Sequence, residues 1–156
     1  LPVCSCINCD AWTGRQVYEI DGTKRKVTLV RREIAEATPL AEVDQFPVPL
    51  PETTLSLHAL SAEEMCVDEA SYWTACDQFL GGNSFIRVLG APVWLEYAEE
   101  EFCDCGQQML CFCSIGYEAY EKTSLLPDRP FFFGEGALYF FFCKHCLRVH
   151  VSSQSS

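Results

Sequence analysis

Two cysteine pairs carry the clearest chemistry in the sequence: Cys103-Asp104-Cys105, followed by Gly106, and Cys143-Lys144-His145-Cys146, entered through a run of aromatic residues. Thiolates are soft ligands, and four of them offered from two tight turns make a set that closes a tetrahedral Zn²⁺ site. The 37 residues between the pairs are enough for a few strands, so both turns can reach one ion. A catalytic zinc keeps one position for water, whereas four cysteines leave none, so the expected role is structural. Two other readings stand beside zinc. Cysteine is among the most buried residue types and can simply be core. A disulfide between the two pairs is also open, although Cys103 and Cys105 are too close in the chain to favour bridging each other. The Cys-x-Cys spacing of the first pair is narrower than the usual Cys-x-x-Cys knuckle.

A second thiol group, Cys4, Cys6 and Cys9, lies at the start of the chain. Its Cys6-x-x-Cys9 knuckle resembles Cys143-x-x-Cys146 in having apolar residues before it and strand-like residues after it. This points to a duplicated half-domain whose first copy has lost its leading pair. Cys4, Cys6 and Cys9 would then hold a second ion only with help from Cys66 or from residues beyond this sequence. The chain opens on Leu1 rather than Met, and residues are expected to precede it.

Other chemistry is sparse. The sequence has no Gly-x-Ser-x-Gly, no His-Glu-x-x-His, no phosphate-cradling glycine loop and no dinucleotide fingerprint. A non-enzymatic protein is therefore expected. His145 reads as a surface residue inside its knuckle, and His58 and His150 have no patterned partner. A redox role for Cys143 and Cys146 would need a helix after them, yet residues 147–151 alternate like a strand.

The elements that must position these residues are mostly strands. Residues 16–20 and 26–31 alternate around an Asp21-Gly22 turn signal and read as a hairpin, with Val17, Ile20, Val27 and Leu29 inward. Four prolines mark 39–52 as an extended connection. Ser61 and Glu64 read as a capping box opening a helix over 61–80, with Met65, Tyr72, Trp73, Cys76, Phe79 and Leu80 on its apolar stripe and Gly81-Gly82 as its stop. Strands are expected over 84–89, 92–97, 108–115, 137–143 and 147–151. Period two would put Met109, Cys111, Cys113 and Ile115 on one face, which makes Cys111 and Cys113 core residues before they are ligands. The fold class is thus α+β, mostly antiparallel β with one main helix and zinc-stapled hairpins. One domain spans 1–156: a first knuckle and hairpin (1–38), the proline-rich connection (39–60), the helix (61–80) and a second knuckle half (81–151).

Composition bounds the function. With 49% hydrophobic and 13% aromatic residues the chain is not a disordered one. Its net charge of −11 repels phosphate backbones and favours a basic protein partner over nucleic acid. The start of the sequence has no basic or apolar leader pattern and no apolar run long enough to span a bilayer, which with reduced thiols points to the cytoplasm and away from membranes. The densest acidic run is Glu96, Glu99, Glu100 and Glu101, beside Trp94 and Tyr97. Aromatics flanked by carboxylates suit an interface that docks Arg or Lys. The competing reading is a solvated edge strand whose charges discourage aggregation.

The order Phe79-Leu80-Gly81-Gly82, Gly90-Ala91-Pro92-Val93-Trp94-Leu95, Cys103-x-Cys105-Gly106-x-x-Met109 and Gly136-x-Leu138-Tyr139-Phe140-Phe141-Phe142-Cys143-x-x-Cys146 resembles the bacterial YwqG-like domains and, more distantly, the programmed-cell-death-protein-2 family. The resemblance covers about 79–151 and departs at Cys103-Asp104-Cys105 and in the Gly-Gly-to-Trp distance. It implies a mostly β, zinc-stapled fold with no established enzymatic activity, and an acidic protein that holds a basic ribosomal client. The expectation from charge and resemblance together is an acidic binding protein that sequesters a basic partner, most specifically an antitoxin or immunity protein that neutralises a bacterial toxin. A chaperone for a basic ribosomal protein, or a housekeeping zinc protein, is the alternative.

Overall fold

Uninterrupted apolar character over 137–143 demands cover on both sides of a strand, and the fold provides it. The structure, a computed structural model, describes residue 5 and residues 15–33, 56–61, 65, 68–132 and 134–155. In chain order the elements are β1 (Arg15–Asp21), β2 (Lys26–Glu33), α1 (Glu69–Phe79), β3 (Ile86–Val88), β4 (Leu110–Ile115), β5 (Gly136–Cys143) and β6 (Arg148–Ser155). The six strands form one sheet in the order β2-β1-β6-β5-β4-β3, every pairing antiparallel. The fold is therefore α+β and mostly antiparallel β, with a single short helix among the described residues.

The apolar β5 lies near the middle of this sheet and separates two cores. Leu138 and Phe140 pack with Tyr18, Phe112, Leu126, Phe131, Val149 and Val151 on one face. Ala137, Tyr139, Phe141 and Cys143 pack with Ala75, Phe79, Val93, Cys103 and Met109 on the other, where α1 lies. The expected first hairpin is present: the Asp21 carboxylate accepts the Thr23 and Lys24 N–H groups at 3.1 and 3.0 Å and closes its turn. Val17 and Val27 point inward, but Leu29, on the edge strand β2, is exposed.

Four sequence expectations are corrected. The helix does not run from 61 to 80: it starts after Asp68, whose carboxylate accepts Ser71 N–H at 2.8 Å while Ser71 Oγ accepts Asp68 N–H at 3.0 Å. That pair satisfies the orphan donors assigned to Ser61 and Glu64, and Ser61 and Met65 fall outside the helix. Trp73 is 60% exposed and belongs to no core, because the stripe facing the sheet is Tyr72, Ala75, Cys76 and Phe79. Residues 92–97 form no strand; Pro92 cannot donate to a ladder, and Val93, Trp94 and Leu95 instead pack against the α1-side core. Finally, Met109, Cys111, Cys113 and Ile115 do not share a face. Cys111 pairs with Phe141 but Cys113 pairs with Phe140, so Phe112 is an extra residue that reverses the alternation. Cys111 packs with the α1-side core and Cys113 with the opposite one, each as core.

The N-terminal knuckle at Cys4, Cys6 and Cys9, the Cys66 thiol and the proline-rich residues 39–55 lie outside the described residues. The duplication built on that knuckle lies there too.

Candidate metal centre

Two short turns bring the expected thiols together. In the first, Cys103 N–H donates to the Gln107 carbonyl at 2.9 Å, Gly106 N–H to the Cys103 carbonyl at 2.8 Å and Met109 N–H to the Glu101 carbonyl at 2.8 Å. Gly106 has φ +81°, a conformation open to glycine and strained for other residues, which explains a glycine directly after the pair. The second turn joins β5 to β6 and carries Leu147 at φ +54°. β6 follows this turn directly, so no helix is present to activate a redox dithiol.

The ligand atoms of Cys103, Cys105, Cys143 and Cys146 all lie within 4.8 Å of one another. The Cys105 and Cys143 sulfurs are 3.8 Å apart. Sulfurs at ~2.3 Å from a tetrahedral Zn²⁺ stand ~3.8 Å from each other, so this spacing matches a metal site. A disulfide, at ~2.05 Å, does not fit it, and all four residues are free thiols. Cys103 and Cys143 are buried, Cys146 is half-buried and Cys105 is exposed. A backbone hydrogen bond from Gln107 and hydrogen bonds from the neighbouring thiols lower the Cys105 thiol to about 7. Cys146, hydrogen-bonded to Cys105, is pushed up to about 12, and burial raises Cys103. His145 is exposed beside the cluster and is not one of its four members.

The acids on either side of Cys103 fasten the first turn to the sheet. The Asp104 carboxylate accepts from Arg31 of β2 at 3.1 Å and from Arg148 of β6 at 2.9 Å. A hydrogen bond from the Arg31 guanidinium holds the Asp104 carboxyl below its ordinary range. Glu101, 5% exposed, meets His150 Nδ1 at 2.7 Å and also bonds Arg15 of β1. Neither Arg15 nor His150 had a signal in the sequence, because their partner lies on a strandless loop 49 or more residues away.

The acidic run divides in two. Ser152 Oγ donates to Glu99 at 2.6 Å, and Gln154 bonds Leu95 N–H at 3.1 Å, Glu96 N–H at 3.2 Å and the Tyr97 carbonyl at 2.8 Å. His150, Ser152 and Gln154 are alternate residues of β6, so one polar face of that strand holds the loop along its length. Glu99 and Glu101 are turned in and engaged, while Glu96, Tyr97 and Glu100 are exposed. Trp94 is not an exposed anchor: its ring stacks on Tyr139 at 4.6 Å and on Phe141 at 6.2 Å. Glu101 is buried and Trp94 half-buried, and both hold the loop to the sheet, whereas Glu96, Tyr97 and Glu100 remain exposed.

Among the described residues, no helix is long and apolar enough to cross a membrane. No protein-family model, curated protein or solved structure matches this chain.

Proposed function

We propose that the chain is a zinc-stapled, non-enzymatic binding protein that holds a basic protein partner. The observation that carries this reading is the four-thiol cluster, whose sulfurs all lie within 4.8 Å of one another. Four thiolates fill a zinc ion's coordination and leave no position for a substrate, so the ion's work is to pin the 103–106 turn to the β5–β6 turn. Soft, all-sulfur ligation selects zinc over magnesium or calcium.

The binding part of the reading is supported by the net charge of −11 and by exposed Glu96, Tyr97 and Glu100 on a loop fastened at both ends. A pre-ordered acidic loop with an aromatic ring meets Arg and Lys without first losing its own freedom. Neutralisation of a basic toxin in the cytoplasm is the narrower form of this proposal, in line with the resemblance to YwqG-like and programmed-cell-death-protein-2 domains. The test is elemental analysis of the purified chain with thermal melting before and after a strong chelator. Zinc bound at this cluster, with a lower melting temperature on its removal, is expected. Zinc-free, chelator-insensitive protein would overturn the metal reading. For the partner, affinity capture with the natural chain should retain a basic protein that Glu96→Lys/Glu100→Lys fails to retain; equal retention removes this loop from the interface.

A further inference from the structure

The cations of this acidic chain are not spread evenly. Six of its eleven Lys and Arg (Arg15, Lys24, Arg25, Lys26, Arg31 and Arg32) lie in 15–33 against three acids (Glu19, Asp21 and Glu33), in a chain whose total charge is −11. Arg15 and Arg31, at the open end, are engaged by Glu101 and Asp104 and Lys24 by Asp21, so the charge of the tip rests on Arg25 and Lys26. The tip of this hairpin adjoins the β5–β6 turn: Ile20 N–H donates to the Leu147 carbonyl at 3.0 Å, and Glu19 is paired with Arg148. That turn adds Lys144, exposed like Lys24, Arg25 and Lys26. Two neighbouring hairpin tips thus make one positive end on a negative molecule.

The sheet face at this end is apolar and partly open. Leu29 is the cross-strand partner of Tyr18, Val27 of Ile20, and Leu110 of Phe142, so all six point to the face opposite α1. Leu126 and Phe131 pack in the core on that face. Toward the tips Leu29 is 45% and Leu110 60% exposed, and Ile20, Val27 and Phe142 are half-buried. The acidic loop at 96–100 lies on the other side of the sheet, against β6 residues of opposite orientation.

We propose that this end is a second binding surface, which takes a short acidic segment of a partner protein bearing apolar side chains. The apolar strip receives the side chains, and Arg25, Lys26 and Lys144 face the carboxylates on its rim. A short segment is favoured over an extended polyanion by the charge distribution. Screening confines the tip's attraction to about 8 Å in physiological salt, and a nucleic acid or an anionic bilayer reaching past the tips meets the negative remainder of the molecule. The surface is separate from the acidic loop and shares the β5–β6 turn with the thiol cluster.

The test uses the full chain and a labelled synthetic peptide of alternating Glu and Phe, with an alternating Lys and Phe peptide and phosphatidylserine vesicles as controls. Anisotropy should show binding of the acidic peptide that weakens at least 10-fold in Arg25→Glu/Lys26→Glu and in Leu110→Ser, with both variants melting as the natural chain does. Should Leu110→Ser melt early, Leu29→Ser replaces it as the apolar variant. Absence of binding, retention of affinity in the charge-reversed variant, or tighter binding to the vesicles or the Lys peptide would each overturn the proposal.

Discussion

Glu101 illustrates how much a single side chain decides. It sits two residues before a buried thiol and bonds groups on β1 and β6, so it holds the thiol-bearing turn to the sheet. Glu101→Ala leaves His150 and Arg15 without that acceptor and should cost about 1–3 kcal/mol in urea unfolding; a loss near zero would mean the contact is idle. The thiols divide in the same way. Burial pushes Cys111 up to about 11 and Cys113 to about 12, while Cys105 is lowered to about 7 and exposed. In metal-stripped protein, mass-mapped alkylation at neutral pH should therefore modify Cys105 well before Cys111 or Cys113. Comparable labelling of all three would show that the sheet opens freely. If the four thiols hold zinc, protons compete for the same sulfurs. Affinity should then fall with pH, about 10-fold per pH unit for each thiol protonated in the free site. Equal affinity at pH 6 and pH 8 would exclude thiolate ligation.

At the scale of elements, the bulge at Phe112 and the glycine at 116 do most to shape the second half. The bulge divides two nearby cysteines between two cores, which a strict period-two strand could not do. Gly116 follows β4 where the chain passes α1, and a Cβ there would run into the Phe79 carbonyl, which is backbone and cannot swing aside. Gly116→Ala should destabilise by about 1–3 kcal/mol through that overlap, and an unchanged urea midpoint would show that the helix end is free to shift. The Asp68 cap is open to the same kind of check. Asp68→Ala should cost about 1 kcal/mol, largely restored by Asn.

For the whole molecule, β6 is the organising strand. Its apolar residues Val149 and Val151 enter one core, its polar residues hold the 95–101 loop, and it joins the N-terminal hairpin to β5. Among the described residues β1 pairs with β2 and β6, so the first hairpin is fastened to the C-terminal half through one strand interface, the core packing of Tyr18, Ile20 and Val27, and the Asp104 and Glu101 contacts. If the four thiols hold a metal, its loss should accordingly loosen the hairpin first. Hydrogen exchange after chelation is expected to rise in 15–33 before it rises in β5, and the reverse order would contradict this coupling.

The sequence by itself determined the strand-rich class, the first hairpin, the helix stop and the four C-terminal thiols, because each is written in short-range patterns: period two, turn residues and paired ligands. Only the tertiary structure decided which acids face solvent, since the Glu99 and Glu101 carboxylates meet β6 side chains 53 and 49 residues away, whereas Glu96 and Glu100 are exposed. The same holds for the Asp68 cap over Ser61, for the exposure of Trp73 and for the switch of face at Phe112. In each case local patterns allowed more than one register, and long-range packing selected the one that covers both faces of β5.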